Sequence, residues 1–188
     1  HSTAQHTITP TLSAVIGLHS GHKAMSTGTE EKKHSVLFVC LGNICRSPMA
    51  EIVFTSLIRE RGVAHLWQVD SAGTGAYHIG QGPDSRSVAA CRKLLGKAMI
   101  PVTMTARQVH ADDFERFQHI FCMDEENLSD LEDICPKKHR HKLALFGSLD
   151  PKGHRIIEDP YYGGDSGFAF NAKQIRRCSE ALLLSLST

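Results

Sequence analysis

Cys40 and Arg46 stand with five residues between them, and a hydroxyl, Ser47, follows the arginine directly. In the stretch Cys40-Leu41-Gly42-Asn43-Ile44-Cys45-Arg46-Ser47, successive backbone N–H groups can turn inward as an anion nest, to which a following helix adds positive potential. The planar fork of Arg46 can grip two oxygens of a phosphate. Gly42 can take positive φ at no steric cost, and Asn43 belongs to the few other residue types that tolerate it. Ser47 is placed to cap the helix and Pro48 to occupy its first position. At the floor of such a cradle Cys40 is favoured as its thiolate, as cysteines at helix N-termini are. A thiolate beneath a bound phosphorus is a nucleophile set for in-line attack. A Cys and an Arg at this spacing also arise by chance. The Val-Leu-Phe-Val strand before them, the Gly-Asn turn and the Ser-Pro helix start are what favour the chemical reading.

Transfer of a phosphoryl group to sulfur also needs a proton for the departing oxygen, from a carboxyl on a turn-rich segment that can reach the loop. Glu158-Asp159-Pro160-Tyr161-Tyr162-Gly163-Gly164-Asp165 is such a segment, and Asp159 beside the rigid Pro160 is its best candidate. An Asp-Pro pair equally starts an ordinary turn, and spacing alone leaves that reading open.

The elements that must hold these residues are legible in the apolar pattern. Val36 to Cys40 is a continuous apolar run, as a strand buried on both faces requires. Met49, Ile52, Val53, Ser56 and Leu57 then form one helical stripe, which Gly62 stops. Further strands are expected over 67–71, 119–123 and 142–146, and further helices over 85–95, 112–117 and 168–186. Asp124 is placed to cap one more helix, with Glu125 and Glu126 in its first turn and Asp112 similarly near the start of the short one. Strands alternating with helices predict an α/β fold: a single three-layer domain with a four-stranded parallel sheet, helices on both faces, and the phosphate-binding loop between first strand and first helix. Ligands of such sheets bind at the carboxyl ends of the strands, which is where that loop lies.

In a chain of 188 residues, 41% apolar and 22% charged, there is material for one folded domain. Twenty-one lysines and arginines nearly cancel twenty acidic residues, and a net charge of +1 offers no footprint for nucleic acid. No apolar stretch is long enough to span a bilayer. The six cysteines (Cys40, Cys45, Cys91, Cys122, Cys135, Cys178) include several in apolar segments, as reduced cysteines of a cytoplasmic protein do, and show no zinc spacing, so no metal is expected. Residues 1–33, rich in Ser, Thr, Gly and His, read as a disordered tail of vector-encoded or upstream sequence, with native coding from Met25 and the domain over 34–188. The run Lys137 to Lys142 reads as a solvated connection before a strand, or as a basic docking patch.

The loop from Val39 to Pro48, Ala106-Arg107-Gln108, Cys122-Met123-Asp124-Glu125 and Asp159-Pro160-Tyr161-Tyr162 together resemble the low-molecular-weight protein tyrosine phosphatases, in order, from about Ser35 to the end. The resemblance implies hydrolysis of phosphotyrosine in proteins, and acid phosphatase activity on aryl phosphates. Cys40 would be the nucleophile that becomes phosphocysteine, Arg46 the phosphate clamp and Asp159 the acid, then the base. It implies loop support from Asn43, Ser47, Glu51 and Ser71, and walls for an aromatic ring from Leu41, Tyr77 and Tyr161. Cys45 would form a reversible disulfide with Cys40 that protects the nucleophile from over-oxidation. No cofactor is implied, since Arg46 and the nest supply the charge. Inorganic phosphate and other oxyanions would compete with phosphotyrosine proteins, the protein would act as a cytoplasmic monomer, and Tyr161 and Tyr162 are candidate phosphorylation sites. Two departures bear on the loop's support: Met104 stands where the family usually has a histidine, and 94–99 is about one helical turn longer than usual. Three alternatives remain: a thioredoxin-coupled arsenate reductase, for which Cys91 and Cys122 lack the local spacing; an arginine phosphatase, which typically carries threonine in place of Ile44; and a catalytically silent phosphotyrosine-binding module.

Overall fold

β1 (His34–Cys40) sends Val36, Phe38 and Cys40 into one apolar cluster and Leu37 and Val39 into another, so both of its faces are buried. Burying each large apolar side chain contributes about 1.5–3 kcal/mol, which makes this strand the natural centre of the sheet. The computed structural model describes residues 34–186. The expected tail, 1–33, lies outside the described residues.

β2 (Trp67–Gly73), β3 (His119–Cys122) and β4 (Leu143–Leu145) join β1 in a four-stranded, all-parallel sheet of order β2-β1-β3-β4. α1 (Arg46–Glu60), α2 (Ser85–Leu95) and α5 (Asp165–Leu186) cover one face, where Phe38 packs against Phe54 and Phe146. α3 (Asp113–Arg116) and α4 (Glu125–Ile134) cover the other. The expected three-layer α/β architecture is the observed one. The chain leaves β1 toward β2 on one side and later returns to β3 on the other. The carboxyl end of β1 is therefore the switch point where such sheets bind ligands.

Several local expectations hold. Gly62, at φ 72°, ends α1, and the Asp124 side chain accepts the Asn127 N–H at the start of α4. Others are corrected. Ser47 does not cap α1: the helix begins at Arg46, no side chain caps it, and the Ser47 hydroxyl is drawn to Cys40, Asn43 and Ala72 instead. Pro48 sits at the third helical position, still within the turn whose N–H groups have no intrahelical partner. Asp112 flanks α3 without a capping bond; the buried Asp113 carboxylate instead takes the His110 N–H and Arg107. The run Lys137–Lys142 is a 3₁₀ helix held to α3, with Lys138 and His139 on Glu115 and Lys142 on the Phe114 carbonyl. The longer stretch, 94–99, contains a 3₁₀ turn, Gly96–Ala98, entered through Gly96 at φ 56°.

Candidate active site

Cys40 ends β1, and the next five residues fold back beneath α1 as a loop with several of its carbonyls engaged by neighbouring segments. Thr74 N–H donates to the Cys40 carbonyl, Gly75 to Leu41, Asp84 to Ile44 and Met49 to Cys45 (2.7–3.3 Å). With those carbonyls turned away, the Asn43 N–H points at Cys40 Sγ (3.3 Å). The positive φ of the loop falls on Asn43 (55°), not on Gly42. At Gly42 a Cβ would instead press on the His78 ring, at 2.9 Å from its nearest atom. Gly73 serves the loop from β2, since a Cβ there would sit 2.7 Å from the Leu41 carbonyl oxygen.

Behind the loop runs a chain of hydrogen bonds. Asn43 Oδ1 accepts the Arg107 N–H, which leaves Nδ2 to donate to Ser47 Oγ (2.8 Å) and Ser71 Oγ (2.9 Å). Ser71 in turn donates to Glu51 (2.5 Å). The single Ser47 hydroxyl proton has two acceptors in reach, Cys40 Sγ at 3.1 Å and the Ala72 carbonyl at 3.2 Å. A Cys40 thiol can donate to Ser47, whose own proton then goes to Ala72. A thiolate draws that proton to itself and gains a charge-assisted bond beside the Asn43 N–H.

Burial lifts Glu51 from the ordinary carboxylate range to about 7; Asp70 adds to the shift, while the Ser71 hydrogen bond and Arg107 oppose it. The folded protein thus holds a proton that the unfolded chain has already released, and stability is expected to fall as the pH rises toward about 7. Glu51→Gln, which keeps an acceptor for Ser71, should flatten that part of the profile. Urea midpoints of parent and variant at about pH 5 and about pH 8 check it, and identical pH dependence in the two would refute it.

Arg46, 2% exposed, reaches the loop from the first turn of α1. Its Nη1 donates to Asp124 and to the Ile157 carbonyl, and its Nη2 donates to Asp159 Oδ2 (3.1 Å). Burial works against its charge, but the neighbouring Cys40, Asp124 and Asp159 more than offset that and raise its pKa. Asp124, which lies in one of the family motifs and reads from the sequence only as a helix cap, does two tasks: Oδ1 holds Asn127 and Oδ2 holds Arg46. Cys40, Arg46 and Asp159 meet in a cavity of about 410 Å³ walled by Leu41, Tyr77 and Tyr161, with His78 and Tyr162 also at its edge. That volume lies in the range of small-molecule sites. Among the described residues, no three His, Cys, Asp or Glu side chains converge to hold a metal ion.

The family model of low molecular weight phosphotyrosine protein phosphatases matches residues 35–188. This chain belongs to that family. It is 48% identical over 156 residues to the low molecular weight phosphotyrosine protein phosphatase of Homo sapiens, covering 82% of this chain and 96% of the relative. A low molecular weight phosphotyrosine phosphatase of Vibrio cholerae O395 superposes with a TM-score of 0.75 at 38% identity, covering 82% of this chain and 97% of that one. A Drosophila arginine phosphatase does so with a TM-score of 0.71 at 36% identity, covering 81% and 98%.

Set in this family, the two departures leave the loop's surroundings connected. Met104 packs at the edge of the main apolar cluster, and the chain Ser47–Asn43–Ser71–Glu51 forms without a histidine. Cys45 is buried, and burial first, then Asp84, Cys40 and Asp159, push its thiol up to about 12. A thiol held neutral in this way is a poor nucleophile. Cys91 and Cys122 are both fully buried, and Cys122 belongs to the cluster on the face of the sheet opposite Cys40. Their burial on opposite faces of the sheet weighs against an arsenate-reductase relay through that pair.

Proposed function

We propose that this protein hydrolyses phosphotyrosine in proteins, and small aryl phosphates, through a phosphocysteine on Cys40. The observation that carries the reading is the meeting of Cys40, Arg46 and Asp159 in one aromatic-walled cavity. An arriving phosphate competes with Asp159 for Arg46 Nη2, which frees the carboxyl to face the ester oxygen. Cys40 Sγ attacks phosphorus, the P–O bond to the aryl group breaks, and Asp159 gives its proton to the departing phenol oxygen. Asp159 then takes a proton from water as that water attacks the phosphocysteine; the S–P bond breaks and inorganic phosphate leaves. Arg46 and the loop amides carry the phosphoryl charge throughout, so the reaction asks for no cofactor, and phosphate and like oxyanions act as competitive ligands. Phosphate release from a phosphotyrosine peptide tests the reading, and a protein that binds the peptide without turnover would be the silent binding module instead.

The same reading takes the protein as a monomer of the cytoplasm, with acid phosphatase activity on aryl phosphates. No described helix is long and apolar enough to cross a membrane. Tyr162 is 97% exposed and open to modification, and Tyr161 is less so. The likeness to an arginine phosphatase favours one second reading, hydrolysis of phosphoarginine. Ile44 and the Tyr77–Tyr161 walls weigh against it, and the ratio of kcat/KM on the two phosphoresidues decides.

Cys45 gives the site a redox guard. Peroxide converts Cys40 to a sulfenic acid, which condenses with the Cys45 thiol to a disulfide and water. After peroxide exposure the parent is expected to regain its activity with a thiol reductant, and Cys45→Ser to lose it for good. Equal recovery of the two would remove this role.

A further inference from the structure

Asp159 is held in place by the very group that substrate must occupy. Its Oδ2 rests on Arg46 Nη2, and among the described residues its Oδ1 accepts the Tyr161 N–H from its own turn. Once phosphate takes Arg46, the segment 158–165 keeps two side-chain hydrogen bonds from elsewhere among the described residues. Asn171 donates to the Glu158 carbonyl (2.8 Å), on the near side of Asp159, and Arg86 Nη1 donates to the Tyr161 carbonyl (3.1 Å), on the far side.

Arg86 is built as a fixed strut. Its Nε and Nη2 form a fork on Asp84 (3.0 and 2.8 Å), and its guanidinium lies over the rings of Phe168 (4.5 Å) and Tyr161 (5.5 Å). Asp84 in turn donates its N–H to the Ile44 carbonyl of the nucleophile's loop (2.7 Å). The line Ile44–Asp84–Arg86–Tyr161 therefore ties the loop that carries Cys40 to the turn that carries Asp159. We propose that Arg86 is a positioning residue that sets the distance between the acid and the nucleophile when substrate occupies Arg46. The proposal rests on Asp159 being the acid. Lysine cannot replace this arginine, because an ammonium lacks the planar fork that engages Asp84, the Tyr161 carbonyl and two rings at once.

The experiment compares kcat/KM on phenyl phosphate, which needs the proton, and on 2,4-dinitrophenyl phosphate, which hardly does. Arg86→Lys should lower the first about 10-fold more than the second, on the scale of a misplaced catalytic group. Inhibition by inorganic phosphate should stay within about twofold of the parent, since the loop itself is untouched. In an Asp159→Asn background, Arg86→Lys should add nothing to the difference between the two esters. Equal loss on both esters, no loss, weakened phosphate inhibition, or full additivity with Asp159→Asn would each overturn the proposal. If Asp159→Asn alone fails to separate the two esters, the acid has been misassigned, and Arg86 falls with it for that distinguishable reason.

Discussion

Cys40→Ser is expected to abolish phosphate release from every aryl phosphate, with a loss on the order of 10⁶ in kcat, the scale of removing a covalent nucleophile. A serine hydroxyl at the same place keeps its proton, and Ser47 and the Asn43 N–H then have no anion to hold. Arg46 keeps its charge beside Asp124 and Asp159 without the sulfur, and the loop amides are backbone groups that the substitution leaves in place. Inorganic phosphate should therefore still bind within a few-fold of the parent, and a phosphotyrosine peptide should bind without turnover. Rapid acid quench with a labelled aryl phosphate supplies the second reading: label stays on the parent and not on Cys40→Ser. Turnover in the variant within a hundredfold of the parent would mean that phosphate passes directly to water, with Cys40 as a bystander.

Much of this site is legible in the sequence because it is local. Val36 to Ser47 contains the strand, the turn and the clamp in one run, and the physical demands on each residue can be met only in that order. Asn43 shows where local reasoning stops. Its tolerance of positive φ is a property of the residue type, but that Asn43 and not Gly42 takes it is fixed by nothing local: the Asn43 side chain is held by Arg107, Ser47 and Ser71, two of them distant in the chain. Ser47 shows the same limit. A Ser before a Pro reads as a helix cap, yet the acceptors that win its hydroxyl come from β1 and β2.

Asp124 and Arg86 were hidden for a different reason. Each has a sufficient local explanation: Asp124 caps α4, and Arg86 lies in the first turn of α2 next to its own cap, Asp84. A signal did exist for Asp124. It lies two residues past the end of β3, so it stands at the carboxyl edge of the sheet beside the end of β1, where a parallel fold gathers its functional groups. The Asp159 segment carried the weakest signal, because nothing in an Asp-Pro-Tyr-Tyr turn states which cavity it will close.

The sharpest test therefore falls on Asp159. Asp159→Asn keeps the size of the side chain and an acceptor for the Tyr161 N–H, so the turn itself should persist. What it removes is a transferable proton and the charge facing Arg46 Nη2. Phenyl phosphate expels a basic oxygen and relies on that proton, so its kcat/KM should drop by roughly 10²–10⁴. An ester with a strongly acidic phenol should lose far less, because its oxygen leaves as the anion. The ratio kcat/KM is the right measure, since it reports the step that forms the phosphocysteine and not its later breakdown. Across a series of phenols, log kcat/KM should then depend more steeply on leaving-group pKa in Asp159→Asn than in the parent. Inhibition by phosphate should hold or tighten, because Arg46 has lost a competing carboxylate. A slope no steeper than the parent's would move the acid to another group at the cavity, with Asp159 reduced to a partner that rests on Arg46 until substrate arrives.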